Sequence, residues 1–207
     1  MARGRTGNVL SEDVNEARVQ ILHAAEIAFE RFGVTKTTID DIAREAGVSR
    51  PTIYRYFRDR DTLIAAMIES RSRALFKEAS KFLKSRKTFQ DQLVDGLIYL
   101  VDHGRADPII RILVNPEHMD LATRLVGEGT HLATKLTKQM WEPYIEHAKQ
   151  SGQLRRDLDI DEACEWLALV QLMLVGRLDF SNPADPSHRK LLTSYLLPAF
   201  GRPGEAN

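Results

Sequence analysis

The sequence predicts an all-α protein, in which a small N-terminal three-helix domain is joined by a long fourth helix to a larger helical domain. Apolar residues recur at the spacing of amphipathic helices along nearly all of the 207 residues. No stretch shows the alternating pattern of a β-strand or the short turn of a hairpin. The apolar fraction of 43% and the charged fraction of 28% are those of an ordinary globular protein.

The first helix is predicted in the stretch EARVQILHAAEIAFERFGV. Ile21, Ala25, Ala28 and Phe32 share one face at helical spacing, so this face is expected to be buried. Gly33 follows the last apolar position, where a glycine in the left-handed αL conformation commonly ends a helix.

The second and third helices are short. Thr38 opens the second helix with Asp41 three residues on, which is a capping box with an acidic third residue. Either Ser49 or Arg50 caps the third helix, and Pro51 fits its first turn because no intrahelical hydrogen-bond donor is needed there.

The fourth helix is predicted to begin near Asp59 or Asp61 and to run through TLIAAMIESRSRALFKEASKFLK, which is long enough to link two modules. We therefore place a flexible arm at 1–14, a first domain at 15–60, a second domain at 61–200 and a disordered tail at 201–207.

Further helices are predicted in FQDQLVDGLIYLVDHG, THLATKLTKQMWEPYIEHAKQSG, DIDEACEWLALVQLMLVGRLDF and HRKLLTSYLLPAFG. Pro143 is expected to kink or break the second of these. The third is apolar on nearly every side, so it is expected to be buried all round.

Charge, cysteine content and hydropathy limit the function classes. The formal net charge is zero, so any DNA-binding face must be local. Cys164 is the one cysteine and lies in an apolar stretch, where a buried thiol is expected and a disulfide within the chain is excluded. The most apolar run, WLALVQLMLV, is too short to span a bilayer, so we expect a cytoplasmic protein without a membrane partner.

The second and third helices, joined by AGVS, have the spacing of a helix-turn-helix. Ala43 is small where the helices approach closely, and Gly47 suits the turn. Val48 and Ile53 are the apolar contacts, and Phe57 is expected to face inward with Ile53. The third helix is therefore predicted to enter the major groove of DNA.

The outward face of the third helix combines hydroxyls with positive charge. Arg50 can donate two hydrogen bonds to guanine or bind a phosphate, while Thr52 can contact a base edge or a thymine methyl. Tyr54 and Tyr56 are expected to donate hydrogen bonds to phosphates. The complete predicted interface with double-stranded DNA is Thr38, Ser49, Arg50, Pro51, Thr52, Tyr54, Arg55, Tyr56 and Arg60, with Arg3 and Arg5 as a flexible arm.

The run TTIDDIAREAGVSRPTIYRYFRDRDTLI resembles the DNA-binding signature of the TetR family of bacterial transcriptional regulators. The resemblance covers roughly the first third of the chain. It implies a homodimer that binds a near-palindromic operator and releases it when a small-molecule effector enters the second domain. It also implies phosphate contacts from Thr38, Tyr54, Tyr56 and Arg60, the last standing where lysine is usual. That the protein is a repressor rather than an activator is implied only by what is typical of the family.

Dimerisation is expected through the apolar helix from Ala163 to Val175 and the last helix, which would form a four-helix interface with their symmetry mates. The alternative is that the apolar helix is the core helix of a monomer. The predicted interface residues are Trp166, Leu169, Val170, Met173, Leu174, Leu191, Leu192, Tyr195 and Leu196.

The effector is predicted to be largely apolar, because aromatic and thioether side chains occupy the middle helices. The candidates are Tyr99, His103, Met119, Met140, Trp141, Tyr144, Trp166 and Met173. For each of them, the alternative is that it fills the core. No cofactor and no metal are expected.

The sequence is less consistent with two other functions. An enzyme is disfavoured because the six histidines are scattered, and no cysteine cluster, phosphate-binding loop or nucleophile elbow occurs. Asp157, Asp159 and Asp161 alternate, but no calcium-loop pattern follows. The remaining alternative is a helical protein-interaction module that uses the aromatic segment as a docking surface and does not bind DNA.

Overall fold

The computed structural model describes residues 10–115, 117, 120, 123, 131–176 and 182–201. Every regular element in these ranges is helical, which confirms the predicted all-α class. The chain divides into two compact units, and the division falls between Met67 and Ile68.

The first unit contains α1 (Val14–Phe32), α2 (Ile39–Ala46), α3 (Arg50–Tyr56) and the beginning of α4 (Arg60–Leu83). Its core is built from small and branched side chains that lie on the inner faces of these helices. The fully buried ones include Ala17, Ile21, Ala25, Ile42, Ile53, Leu63 and Ile64. This apolar centre holds the two short helices, which are too short to be stable alone.

The C-terminal end of α1 differs from its prediction in two ways. Phe32 is 42% exposed, and the Arg31 guanidinium lies 5.8 Å from the centre of its ring. Gly33 has φ 79° and ψ 152°, which is a positive-φ extended conformation rather than αL. Its N–H still donates to the Phe29 carbonyl at 2.8 Å, so the glycine does end the helix.

The second unit contains the remainder of α4, α5 (Phe89–Ala106), a 3-10 turn (Ile110–Leu113), α6 (Leu132–Gln150) and α7 (Ile160–Gly176). It ends with α8 (Pro186–Leu191), which continues as a π-helical turn (Leu192–Leu196) and a 3-10 turn (Leu197–Ala199). Helices α5, α6 and α7 pack on one another around a core in which Leu93, Leu97, Val101, Trp141 and Leu167 are fully buried.

Pro143 does not break α6, since the helix runs from Leu132 to Gln150 with the proline inside. Trp141 and Ile145, on either side of it, are fully buried. Their packing offsets the cost of about 3 kcal/mol that a proline imposes on a helix interior.

The apolar helix α7 is buried on one face only. Cys164, Leu167 and Leu174 are fully buried, whereas Leu169 and Met173 are 61% and 56% exposed. The expectation of a helix buried all round therefore does not hold within one chain. Cys164 is buried, as predicted, and this burial raises the pKa of its thiol to about 11.

Among the residues that the structure describes, no helix is both long and apolar enough to cross a membrane.

Candidate nucleic-acid interface and cavity

The start of α2 is held by the predicted capping box. The Asp41 N–H donates to Thr38 Oγ1 at 3.2 Å, and the Thr38 N–H donates to Asp41 Oδ2 at 3.0 Å. Hydrogen bonds from Thr38 lower the pKa of the Asp41 carboxyl, so it is ionised near neutral pH. Thr38 is thereby fixed at the exposed N-terminus of α2, where helix N–H groups favour an anion.

The turn between α2 and α3 uses glycine chemistry. Gly47 is in the αL conformation with φ 70° and ψ 22°, and the Val48 N–H donates to the Ala43 carbonyl at 2.9 Å. Ser49 caps α3, because its Oγ accepts from the Thr52 N–H at 3.3 Å. The predicted turn and the cap are therefore both present.

The inward face of α3 anchors the helix. Ile53 and Phe57 are 0% and 1% exposed, as predicted. The Arg18 guanidinium, from α1, lies 4.3 Å from the centre of the Phe57 ring and donates to the Tyr56 carbonyl. The C-terminal end of this short helix is thus fastened to α1, and the outward face stays open.

The outward face of α3 carries the predicted contact residues. Ser49, Arg50, Pro51, Tyr54 and Arg55 are exposed, while Thr52 and Tyr56 are half-buried. Ser49, Thr52 and Tyr56 also line a groove of about 680 Å³ between α3 and the segment that begins at Leu10. Arg3 and Arg5, predicted as an arm, lie outside the described residues.

Each of the two tyrosines on α3 is paired with an arginine. Arg50 Nη2 donates to Tyr54 Oη at 3.3 Å, and Arg55 Nη2 donates to Tyr56 Oη at 3.2 Å. Arg50 also contacts the Asp40 carboxylate at 3.2 Å. The hydrogen bond to Tyr54 raises the pKa of the Arg50 guanidinium, and Asp40 adds to this. Because these contacts are at the surface, exchanging them for phosphate contacts costs little.

Arg60 is placed differently from the other arginines of the predicted interface. It is half-buried, its Nε donates to the Thr37 carbonyl at 3.2 Å, and its Nη2 donates to the Val34 carbonyl. Arg60 therefore fastens the start of α4 to the loop before α2. These contacts with the loop before Thr38 were not predicted from the sequence, where only a phosphate contact was expected for Arg60.

The second unit contains a cavity of about 80 Å³ between α4, α5, the 3-10 turn, α6 and α7. Its described wall is mostly apolar, with contributions from Leu75, Phe76, Leu100, Ile110, Leu113, Val114, Leu136, Leu172 and Val175. The wall also contains three polar side chains that can form hydrogen bonds, those of Ser72, Thr137 and Gln171. None of the described lining residues is ionisable.

The 3-10 turn of the cavity wall is tied to α4. Asp107 Oδ1 accepts from the Ile109 and Ile110 N–H groups at 2.8 Å and 3.1 Å. The other carboxylate oxygen lies 3.7 Å from Arg71 Nε, on α4. Any ligand that displaces Ile110 therefore acts on a segment that is linked to α4.

The sequence pattern described as "Bacterial regulatory proteins, tetR family" matches residues 21–67, which include α2, α3 and the beginning of α4. The probable HTH-type transcriptional regulator ArpR of Pseudomonas putida is 30% identical over 185 residues, covering 80% of this chain and 81% of that protein. This chain belongs to the TetR family. It is a DNA-binding transcriptional regulator rather than an enzyme, and the resemblance read from the sequence is confirmed.

Two further comparisons agree with this result. The HTH-type transcriptional regulator TtgR of Pseudomonas putida is 33% identical over 143 residues, covering 69% of this chain and 61% of that protein. The crystal structure of RolR in complex with the ligand resorcinol has a TM-score of 0.68 at 16% identity, covering 91% of this chain and 89% of that chain. At that identity, the structural match supports the fold alone.

Most of the predicted effector residues of this TetR-family chain lie away from the cavity. Met140 and Trp141 are buried in the core, and Tyr144 packs edge-on against Trp141, with ring centres 6.0 Å apart. Tyr99 stacks on His103 at 3.9 Å. None of these side chains lines the cavity.

Two further effector candidates do not line the described cavity wall either. Trp166 and Met173 are 47% and 56% exposed on α7, and Met119 lies outside the described residues. Size and aromaticity favour core positions in general, so they could not separate a cavity wall from ordinary core.

The residues that the sequence reading missed are Ser72, Thr137 and Gln171. A signal was present for one of them, because Gln171 is the single polar side chain in WLALVQLMLV. A polar group inside an apolar helix needs a partner, so its position was informative.

The predicted dimer residues fall into two groups. Trp166, Leu169, Met173 and Tyr195 are exposed, Tyr195 by 80%. The others belong to the core of the same chain, where Val170, Leu174, Leu192 and Leu196 are buried and Leu191 is half-buried. Their side chains pack within this chain, whereas the exposed group is available to a second copy.

Proposed function

We propose that this chain is a repressor that binds a near-palindromic operator as a homodimer and is released by a small, largely apolar effector. The observation that carries the proposal is the outward face of α3, where paired tyrosine and arginine side chains stand exposed on a helix whose other face is anchored. Family membership favours DNA binding over the alternative of a protein-interaction module.

Operator contact follows from the chemistry of that face. Tyr54 and Tyr56 carry rigid rings that hold their hydroxyls at a fixed height, which suits donation to phosphates. Arg50 is near the N-terminus of α3, the part of a recognition helix that reaches base edges. Thr38 adds the N-terminus of α2 as a second phosphate contact.

Homodimer formation is supported by the exposed stripe on α7. Trp166, Leu169 and Met173 are spaced three and four residues apart, so they lie on one helix face. Large apolar side chains gathered on one exposed face are typical of an interface. In a dimer, the α3 helices of the two chains would bind half-sites about 34 Å apart.

Release by an apolar effector is supported by the cavity. Its described wall holds no ionisable residue, so a charged ligand would lose its hydration without compensation. RolR, a protein of this fold, is known in complex with resorcinol, a small ligand. Ser72, Leu75 and Phe76 of α4 line the cavity. The same helix begins at Arg60, which donates a hydrogen bond to the loop before α2.

The test is fluorescence anisotropy with DNA that flanks the gene of this protein, at two salt concentrations. Tyr56→Phe removes one hydroxyl and leaves the ring, so affinity is expected to fall by about 1–3 kcal/mol, as for a hydrogen bond to a charged group. Tyr144→Phe is the matched control, because it removes a hydroxyl from the second unit, and its affinity should equal that of the wild type.

Unchanged affinity in Tyr56→Phe would exclude a phosphate contact from this hydroxyl. Weak binding without sequence preference, even in selection from random DNA, would contradict operator binding altogether.

A further inference from the structure

The orientation of the Gln171 amide is fixed by its neighbours. Trp141 Nε1 donates to Gln171 Oε1 at 3.3 Å, and Thr137 Oγ1 donates to the same oxygen at 3.3 Å. An indole nitrogen can only donate, so the atom that faces it must be the amide oxygen. The amide nitrogen of Gln171 is therefore on the other side.

This amide nitrogen has spare capacity for hydrogen bonding. Within the part of the chain that the structure describes, Gln171 Nε2 donates to no side chain or carbonyl. Gln171 lines the cavity together with Ser72, whose residue is 5% exposed. Gln171 is half-buried, and a donor of the wall that has no protein acceptor is available to a ligand that carries one.

We infer that Gln171 Nε2 and the Ser72 hydroxyl form the polar anchor of an uncharged effector, and that they donate to an acceptor oxygen, such as a carbonyl, on an otherwise apolar body. The inference rests on the proposed effector role of the second unit. It adds what that proposal leaves open, namely which polar group an apolar ligand must carry and which side chains recognise it.

The volume of the cavity and the lack of charge in its described wall limit which ligands can bind. A cavity of about 80 Å³ has room for roughly five to seven non-hydrogen atoms without movement of its walls. A larger ligand must displace part of the wall, and one such part is the 3-10 turn, which Asp107 ties to Arg71 on α4. Because the described wall offers no counter-ion, an ionised ligand group is disfavoured.

The experiment measures binding of three probes of equal size in the absence of DNA, by isothermal titration and by ligand-observed NMR. Cyclohexanone carries the acceptor oxygen, methylcyclohexane replaces it by a methyl group, and cyclohexylammonium carries a charge. Because methylcyclohexane is the more hydrophobic probe, the ratio of the two affinities is compared between proteins: it should favour cyclohexanone roughly three- to tenfold more in the wild type than in a variant without the anchor, as for one net hydrogen bond. Cyclohexylammonium is expected not to bind.

Two variants assign the preference to the anchor. Gln171→Met keeps the length of the side chain and removes the amide, so the affinity ratio should shift toward methylcyclohexane. Ser72→Ala removes one hydroxyl without leaving a partner unpaired, and it should shift the ratio in the same direction even if Gln171→Met is poorly folded.

The outcomes separate this inference from the proposed function. An affinity ratio that is the same in the wild type and in both variants would overturn the polar anchor and leave an apolar effector standing. Stronger binding of cyclohexylammonium would overturn the uncharged class. Failure of all three probes would overturn the cavity as a ligand site, while operator binding, measured without any ligand, would be unaffected.

Discussion

At the scale of single residues, Gly96 determines how closely α5 and α6 approach. A Cβ atom at this position would lie 2.6 Å from Cη2 of the Trp141 ring and 3.2 Å from a Leu83 methyl. The indole is fully buried and cannot rotate away. We expect Gly96→Ala to be destabilising by about 1–3 kcal/mol, because the overpacking exceeds the helix-propensity gain of about 1 kcal/mol.

Gly104→Ala on the same helix is the matched control. Its Cβ would meet its nearest neighbour, Ile110, at 3.6 Å, which is ordinary contact. The free energy of unfolding, measured by urea titration, should be unchanged or slightly higher for Gly104→Ala. Equal effects of the two substitutions would show that the close contact with Trp141 is relieved by movement of the helices.

Individual residues could be predicted from the sequence where the reason for them is local. The Thr38 cap, the Ser49 cap and the inward positions of Ile53 and Phe57 depend on spacings within a few residues. Arg60 could not be assigned in this way, because its partners are carbonyls 23 and 26 residues earlier in the chain. The cavity residues Ser72 and Thr137 were missed for the same reason, since several helices must meet to make a cavity.

At the scale of helices, the N-termini of α2 and α4 depend on ionised carboxylates. Hydrogen bonds from Thr38 lower the pKa of Asp41, and hydrogen bonds from Thr62 lower the pKa of Asp59. A carboxyl whose pKa is lower in the folded than in the unfolded chain stabilises the fold above its unfolded pKa. That stabilisation is lost as the pH falls through the lower, folded value.

The first unit is therefore expected to be most stable above the ordinary aspartate pKa of 3.8 and to lose stability progressively below it. Urea denaturation between pH 7 and pH 3, followed by circular dichroism, measures this slope. Asp41→Asn should lower the free energy of unfolding at pH 7 and reduce the slope at acid pH. An identical slope in the variant and the wild type would contradict the role of Asp41.

The helices themselves were largely predictable, because strong caps and amphipathic periods define them. Their exceptions arise from packing. Pro143 stays within α6, since Trp141 and Ile145 are buried on both sides of it. The last helix changes to a π-helical turn at Leu192–Leu196, where Leu192 and Leu196 are both buried. Sequence period alone does not foretell such a change of helix type.

At the scale of the whole molecule, the proposed function requires two chains. The α3 helix of one chain contacts only one half-site. In a dimer, the second α3 helix binds intramolecularly, and this raises the affinity for the whole operator. The exposed apolar stripe of Trp166, Leu169 and Met173 is the surface that the dimer proposal uses. Each apolar side chain of this size contributes about 1.5–3 kcal/mol when it is fully buried.

Replacing Leu169 and Met173 together by lysine tests that proposal without touching the core, because both side chains are exposed in the single chain. The dimer dissociation constant is expected to rise at least a hundredfold, since about 3 kcal/mol or more of burial is lost and like charges are brought together. Sedimentation equilibrium should give twice the chain mass for the wild type and the chain mass for the variant. Glu146→Lys, an exposed change of equal net charge on α6, is the control for added charge.

The same double variant separates folding from assembly. Its helical content and its thermal transition at low protein concentration should match those of the wild-type monomer, while its operator affinity should approach that of a single half-site. A variant that remains dimeric would show that another surface joins the two chains. A wild type that is monomeric at micromolar concentration, yet binds a near-palindromic operator tightly, would mean that the DNA itself brings the two copies together.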